Sequence, residues 1–408
     1  MDRIQRFHSA LLPNRSHCIL KEDKLLTMPF ILLTIGHFLQ ALGYSSMLLL
    51  PLYLDHLQAN RTEIGMIMAI ASVGGLSMRP AVGWALDAWG RKKTLIASTA
   101  MLVFGMLLIY FVQDLGPTVY LVRILIGIGV GGLFTGYFTF AADIIPVSRR
   151  TEGIALFGIS GLVPLLILPF SSGMGIEPAD LRWFFPLVAV VIAGSFPALM
   201  ALSEPEREER QGGFSWRKAI KALSGATLWS VWIATAIFSM MVAIFMTFTT
   251  VSAENRGISD PLWFWGMYAF GAVCVRLFGA KLPDRLGPAN LVAPALCSYC
   301  FALLLVAYGE SREFFLLAGL LAGIGHGYCF PVLTSQVVSR IDDEVRGTGL
   351  SMFTGLWGLV NLCITPMLGW FSDSFDDRAM FSLTSLIAVV GLALWLFVEH
   401  TVSSKRER

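Results

Sequence analysis

Long apolar runs are the feature that most limits how this chain can fold. A helix needs about 20 apolar residues to cross the roughly 30 Å hydrocarbon layer of a bilayer, and runs of that length follow one another along most of the 408 residues. We predict twelve membrane-spanning helices, at 28–53, 62–86, 94–113, 118–143, 152–172, 181–202, 227–251, 261–281, 289–309, 314–338, 347–371 and 379–398. The predicted fold class is therefore all-α integral membrane.

The composition disfavours a soluble globular protein. Hydrophobic residues make up 55% of the chain and charged residues only 14%, whereas soluble domains carry about 25% charged residues. The pair Cys297-x-x-Cys300 lies in an apolar run, so it is interpreted as packing rather than as a zinc or redox site, and we expect no cofactor. The chain has no G-x-x-x-x-G-K-[ST] pattern, which disfavours ATP-driven transport.

Lys and Arg residues are distributed unequally between alternate loops. With the N-terminus inside, the outer loops hold only five of the 30 Lys and Arg residues, namely Arg61, Arg182, Arg256, Arg312 and Arg378. Because basic residues are enriched in cytoplasmic loops, we predict that both termini are cytoplasmic, in a bacterial inner membrane or a plasma membrane. Residues 1–27 carry bases without an apolar core, which indicates a cytoplasmic tail and not a cleaved signal peptide.

The longest polar stretch inside the chain divides the spans into six and six. It is SEPEREERQGGFSWRKAIKALSG, with apolar residues on one side and bases on the other, which is typical of an amphipathic linker. We predict five segments: a cytoplasmic tail (1–27), a first six-helix bundle (28–202), a cytoplasmic linker (203–225), a second six-helix bundle (226–400) and a short cytoplasmic tail (401–408).

The two halves repeat each other. RPAVGWALDAWG (79–90) and RLFGAKLPDRLG (276–287) share Arg, Asp and Gly at the same spacing, 197 residues apart. GIGVGGLF (127–134) and GIGHGYCF (323–330) match at an offset of 196. A parallel six-helix repeat is a signature of transporters that rock two halves about a central site. We therefore predict two pseudo-symmetric six-helix bundles.

The loop between spans two and three has the pattern G-x-x-x-D-x-x-G-R-K-K. Together with the twelve spans and the central linker, this pattern resembles the major facilitator superfamily (MFS), and the resemblance covers essentially the whole chain. The matching residues are Gly83, Asp87, Gly90, Arg91 and Lys92. Ala88 stands where the family usually has Arg. A second copy follows span eight, with Asp284, Arg285 and Gly287.

We predict that these charges form a gate on the cytoplasmic side. Asp87 ends span two, where it can lie against the positive N-terminal end of span eleven near 347–349, a contact that contributes about 0.3–1 kcal/mol. The resemblance implies that Arg91 reaches an acid at the base of span four, and Asp143 is available there. Asp284 is the counterpart of Asp87 in the second half. The alternative is that the bases only fix topology. The predicted gate residues are Gly83, Asp87, Gly90, Arg91, Asp143, Asp284, Arg285 and Gly287.

Three arginines lie inside predicted spans, and no Asp or Glu lies in the middle of one. Charge at this depth is costly and indicates function. Arg79 and Arg276 can line the cavity and bind an anionic substrate, or they can cap carbonyl groups between the bundles as parts of the gate, which their symmetric placement slightly favours. Arg123 and Gly127 resemble the fourth-helix motif of the MFS, which implies a role in proton coupling or substrate charge.

Uncharged polar side chains on the spans are further candidates. His37 and His326 titrate near neutral pH and are candidate proton carriers, with helix packing as an equal alternative. Candidate substrate contacts on spans that usually line the cavity of this fold are Gln40, Tyr44, Tyr137, Trp357 and Asn361, although packing is the default for each. His37, Gln40 and Tyr44 share one helix face at i, i+3 and i+7.

Together these features predict a secondary active transporter, not an enzyme, that moves a small organic solute across the bilayer by alternating access. Arginines without buried acids favour an anionic or carboxylate-bearing solute, with protons as the coupling ion in symport or antiport. One alternative is a proton-driven multidrug exporter, although the antiporter pattern G-x-x-x-G-P is not met in span five. Another is a receptor or scaffold that keeps the fold without transport. We expect a monomer with no nucleic-acid partner.

Overall fold

The computed structural model describes residues 24–146, 149–205, 224–279, 282–287, 289–341 and 346–406. Regular secondary structure in these ranges is helical throughout. Most of the predicted N-terminal tail and of the predicted linker lies outside them. The boundaries of the five segments therefore stay a prediction, as does the orientation in the membrane.

Ten α-helices build the described part of the first half. They are α1 (Met28–Ser46), α2 (Leu50–His56), α3 (Arg61–Ser77), α4 (Arg79–Ala88), α5 (Arg91–Leu108), α6 (Pro117–Ile144), α7 (Arg150–Ile159), α8 (Val163–Ile167), α9 (Leu181–Ala193) and α10 (Phe196–Ala201). The described part of the second half contains α11 (Trp229–Asn255), α12 (Trp263–Phe278), α13 (Leu282–Leu286), α14 (Ala289–Tyr308), α15 (Arg312–Ser339), α16 (Arg346–Ser374) and α17 (Asp377–Arg406).

All twelve predicted spans coincide with helices. Within the described residues, nine helical stretches are long and apolar enough to cross a membrane, and a tenth is formed by α3 and α4, which are bent by 43° relative to each other. Two shorter apolar stretches, Leu156–Phe170 and Trp263–Phe278, occupy the positions of predicted spans five and eight. Span five is short because it is broken between α7 and α8, where Pro164 stands in the first turn of α8.

Close helix crossings repeat between the halves. A Cβ atom on Gly127 of α6 would overlap the carbonyl oxygen of Ala71 on α3, and a Cβ atom on Gly323 of α15 would overlap that of Tyr268 on α12. Gly127 and Gly323 are equivalent in the 196-residue repeat, so the same crossing forms twice. Because glycine has no side chain, the backbones approach closely, and each crossing holds two helices of one half together.

The two halves meet chiefly along three pairs of helices. The most extensive contact joins α3 of the first half to α16 of the second, and smaller contacts join α8 to α12 and α2 to α11. Large apolar side chains such as Phe104 and Leu187 remain exposed on the surface of the protein. That exposure is expected where acyl chains, which are as apolar as these side chains, replace water.

Candidate functional site

The contact between α3 and α16 brings polar groups of the two halves together. A Cβ atom on Gly65 of α3 would lie 2.7 Å from the carbonyl oxygen of Thr365 on α16, so the two backbones almost touch. The side-chain amide of Asn361 donates to the hydroxyl of Ser72 across the same interface, at 3.1 Å. In this conformation Asn361, a predicted substrate contact, therefore bonds the halves to each other.

Arg79 and Arg276 each reach the opposite half. Arg79, at the start of α4, donates from Nη1 to the carbonyl oxygen of Ser351 (2.9 Å) and to the hydroxyl of Thr354, both on α16. Arg276 on α12 lies beside α7, where a Cβ atom on Gly158 would be 2.9 Å from its Nη1. Within the described residues, the Nε atoms of both arginines are buried without a hydrogen-bond partner. The two side chains thus occupy equivalent positions at the interface, and each leaves a donor unused.

A pair of aromatic side chains, one from each half, also joins the halves. Phe134 of α6 and Phe330 of α15 lie with ring centroids 6.4 Å apart and planes at 88°. They are the last residues of the two repeated glycine motifs, 196 positions apart, so equivalent residues touch each other across the pseudo-two-fold axis. Both lie on the predicted cytoplasmic side of the midpoint of their helix. This contact could have been predicted from the sequence repeat, because a residue that lies on the pseudo-two-fold axis contacts the equivalent residue of the other half.

His326 belongs to a buried polar cluster of the second half. Its Nδ1 lies 2.7 Å from the hydroxyl of Tyr268, which in turn lies 2.7 Å from the hydroxyl of Tyr299. The imidazole stacks on Phe330 at 6.0 Å between centroids. Trp357 packs edge-on against Phe330, and its Nε1 is buried without a hydrogen-bond partner in the described part of the chain. His326 is therefore linked directly to the aromatic pair.

His37 has a hydrogen bond of fixed direction in the first half. Its Nδ1 lies 2.7 Å from the hydroxyl of Ser160, and that hydroxyl donates to the carbonyl oxygen of Phe157. The serine oxygen must then accept from Nδ1–H of the imidazole. The imidazole also stacks on Phe157, at 4.5 Å, and lies 5.1 Å from the ring of Tyr137, whose buried hydroxyl has no partner among the described residues. This geometry favours the packing interpretation for His37.

The remaining candidates on α1 differ in exposure. Gln40 is 6% exposed, whereas Tyr44 is 44% exposed. The hydroxyl of Tyr44 lies 3.6 Å from the sulfur of Met246 on α11. Of the three residues on this face of α1, Tyr44 is therefore the one that reaches the second half.

Arg123 is buried within the first half. It donates from Nε to the carbonyl oxygen of Ile67 (3.1 Å) and from Nη2 to that of Met68 (2.9 Å), both on α3. Its Nη1 lies 3.5 Å from the sulfur of Met47. In this conformation the guanidinium ties α6 to α3, and its role in transport stays a prediction.

The charged loop after α4 is held together within the first half. Arg91 donates from Nε to Asp143 (2.9 Å) and from Nη1 to the carbonyl oxygen of Leu86 (2.8 Å), so the contact expected between Arg91 and Asp143 is present. The backbone N–H of Arg91 donates to Glu204 at 2.6 Å. Asp87 lies 3.5 Å from Arg91, with 83% of its side chain exposed.

The chain turns at an equivalent glycine in each copy of the loop. Gly90 and Gly287 adopt φ angles of 107° and 82°, which favour glycine, so both glycines are needed for chain reversal. A Cβ atom on Gly83 would meet nothing within 4 Å. Arg285 is exposed after α12. The side chains of Asp284 and of the first residues of α16 lie outside the described part of the chain, so the predicted contacts of Asp87 and Asp284 stay predictions.

A second charged cluster lies at the opposite end of α3. Asp373, near the end of α16, accepts hydrogen bonds from the backbone N–H groups of Arg61 and Thr62, each at 2.8 Å, and from the hydroxyl of Thr62. The side chain of Arg61 pairs with Asp55 at 2.9 Å and with Asp377 at 3.1 Å. We call these five residues the outer clamp, because they join the halves at the end that is predicted to face outward.

Sequence reasoning missed the outer clamp. It treated Arg61 as one of the few outer bases and did not single out the acids at the ends of spans one, eleven and twelve. One signal was available, since Arg61 shares the first outer loop with an acid, Asp55, to which it can pair. The helix pairing that brings Asp373 to Arg61 could not be read from either residue alone.

Comparison with known proteins assigns this architecture to a family. The family model of the Major Facilitator Superfamily matches residues 33–364. The chain belongs to the Major Facilitator Superfamily. An MFS-type transporter of Salmonella typhimurium strain LT2 is 25% identical over 85% of this chain and 90% of its own length. Multidrug resistance protein 1 of Bacillus subtilis strain 168 is 22% identical over 94% of this chain and 100% of its own.

A solved structure shows the same fold. The crystal structure of the nucleoside transporter NupG superposes with a TM-score of 0.71 over 91% of this chain and 98% of its own, at 14% identity. The predicted fold class, an MFS fold of twelve helices in two bundles, is confirmed. MFS proteins are multi-pass membrane transporters, so the predictions of a secondary transporter of small molecules and of a protein that is not an enzyme are confirmed as well.

Proposed function

We propose that this MFS chain transports small organic anions by alternating access between its two halves, with protons as the coupling ion. The observation that carries the proposal is the pair Arg79 and Arg276, which reach across the interface from equivalent positions and each leave a buried Nε without a partner in the described residues. No Asp or Glu lies in the middle of any predicted span to neutralise them.

The physical reason is that a guanidinium keeps its charge and all its donors in a buried site. A buried donor without a partner destabilises a structure by about 1–3 kcal/mol. A carboxylate or phosphate that reaches Arg79 or Arg276 would accept from the unused donor and remove that penalty. A lipophilic cation would add a like charge to the same interface.

His326 is the coupling-proton carrier in this proposal. The cluster with Tyr268 and Tyr299 gives the imidazole a partner in either protonation state, because each hydroxyl can donate or accept and the bonds can reverse direction. His37 lacks that freedom, since the hydroxyl of Ser160 already donates to a backbone carbonyl. The contact of His326 with Phe330 would connect its charge to the interface between the halves.

A ligand-stability screen tests the substrate class. We expect small carboxylates or organic phosphates to raise the melting temperature of the purified protein and tetraphenylphosphonium to leave it unchanged. Arg276→Gln should abolish the shift, whereas Arg312→Gln, at a partly exposed residue that pairs with Asp260 at the predicted outer end, should keep it. Stabilisation by the cation alone would overturn the proposal.

Flux in proteoliposomes tests the coupling. His326→Gln should retain exchange of the labelled anion at equilibrium but lose acceleration by an imposed pH gradient. His37→Gln serves as the matched control and should keep that acceleration. If His326→Gln still responds to the gradient, another group carries the proton.

A proton-driven multidrug exporter is the second candidate. Aromatic side chains at the interface, Phe134, Phe330 and Trp357, favour it because they offer apolar and π-rich contacts. The likeness to Multidrug resistance protein 1 of Bacillus subtilis points the same way. The screen separates the two candidates, since an exporter of lipophilic cations would be stabilised by tetraphenylphosphonium.

A further inference from the structure

A groove of about 560 Å³ runs between α12 and α15, away from the interface of the two halves. Its wall on α12 includes Gly271, Cys274 and Phe278, which recur at helical spacing and so lie on one face of the helix. Gly271 and Gly279 are separated by about 12 Å along the helix. The groove therefore extends over most of one leaflet, whose hydrocarbon is about 15 Å thick, on the predicted cytoplasmic side.

The groove faces the lipid and not the centre of the protein. On α15 it is lined by Leu320, Ile324 and Tyr328. Ile324 and Tyr328 are each two residues from His326, or about 200° around an α-helix. Since His326 and Phe330 contact the central aromatic residues, the groove lies on the opposite face of α15.

The inner end of the groove carries polar groups that form no hydrogen bond or ion pair among the described residues. Arg285 lines it, and its exposed guanidinium makes no ion pair with any residue that the structure describes. The hydroxyl of Tyr328 lies against Gly279, where a Cβ atom would overlap it, and has no hydrogen-bond partner in the described ranges. A cation and a hydroxyl at the end of an apolar groove complement a phosphate with an attached acyl chain.

We propose that this groove binds an anionic phospholipid, with the phosphate at Arg285 and Tyr328 and one acyl chain along Gly271 and Ile324. Guanidinium groups bind phosphate oxygens in a bidentate manner, and basic pockets between helices at the cytoplasmic surface are suited to anionic head groups. Gly271 and Gly279 let α12 lie close to α15, because a Cβ atom at 271 would overlap the carbonyl oxygen of Leu320 and one at 279 would overlap the hydroxyl of Tyr328. Apolar side chains of both helices, Phe278 and Ile324 among them, then form the wall of the groove.

Cys274 provides a probe inside the groove, since it is a free, partly exposed thiol among the lining residues. Cys18, Cys297 and Cys363 are replaced by Ser, and Cys300 and Cys329 are buried. The rate of N-ethylmaleimide labelling is then measured in detergent with added phosphatidylglycerol, phosphatidylcholine or inorganic phosphate. We expect phosphatidylglycerol to slow labelling and the other two additives to leave it unchanged.

Substitution of the proposed head-group contact completes the test. Arg285→Gln should raise the phosphatidylglycerol concentration needed for half-protection by about fivefold, with the labelling rate in lipid-free detergent unchanged. Arg312→Gln, at the other end of α15, should behave as the parent. Equal protection by phosphatidylcholine, protection by phosphate alone, no protection by any lipid, or full protection of Arg285→Gln would each overturn the proposal.

Discussion

The two ends of the α3–α4 segment are held by charge in different ways. At the outer end, Asp373 of the second half accepts both of the first backbone N–H groups of α3, and Arg61 pairs with an acid from each half. At the inner end, Arg91 pairs with Asp143 of its own half. The outer charges therefore join the halves directly, whereas the described contacts of Arg91 stabilise one half internally.

This difference shows how the outer end is held closed. A helix start leaves N–H groups without intrahelical partners, and at the outer end a carboxylate from the other half satisfies two of them. At the inner end, Trp84 and Trp89 of the first half remain more than half exposed, at 58% and 54%. The structure thus bonds the outer end directly across the halves, while Arg79 and the Phe134–Phe330 pair join the halves on the predicted cytoplasmic side.

Asp373→Ala should have the largest effect on this comparison. It removes two backbone bonds to a charged acceptor, each worth about 1.5–3 kcal/mol, so we expect the population open at the outer end to rise by at least tenfold, given about 1.4 kcal/mol per factor of ten. Spin labels on the outer loops of the two halves would report longer distances. Glu310→Ala is the matched control, because Glu310 pairs with Arg378 within the second half and both side chains are exposed. An unchanged distance distribution for Asp373→Ala would show that the outer clamp does not hold the halves.

Removal of the aromatic pair should have an intermediate effect. Phe134→Ala and Phe330→Ala should each make a cysteine at position 361 more reactive toward a thiol reagent from the cytoplasmic side. The double variant should show a coupling of about 0.5–1.5 kcal/mol, as expected for an edge-to-face aromatic contact. Phe104→Ala removes a ring that is 56% exposed and should change nothing. Strictly additive effects would mean that the two rings act separately.

Asp87→Asn should have the smallest effect. We expect a shift of about two- to fivefold toward cytoplasm-open states, because a carboxylate at a helix start contributes about 0.3–1 kcal/mol. The probes are cysteines in the inner cavity, and Lys93→Gln is the control from the same loop. Unchanged probe accessibility in Asp87→Asn would remove Asp87 from the gate.

Much of the fold could be predicted from the sequence, because each membrane span is recognised from the length of one continuous apolar run. The pairing of Arg91 with Asp143 could be predicted as well, since family likeness supplied the base and only one acid ends span four. The outer clamp could not, because Arg61 and Asp373 are more than 300 positions apart and carry no shared pattern. The bend between α3 and α4 was also missed, although Pro80 in the first turn of α4 marked a helix start.

The bend between α3 and α4 has a mechanical consequence. The helix axis changes direction by 43° just before Arg79. Span two therefore consists of two helical segments joined at a bend and is not one straight helix. The outer segment can stay fixed against α16 by the outer clamp while the inner segment swings about the joint. We expect this joint to permit an occluded intermediate, shut at both ends at once, in which the contact between α3 and α16 does not move.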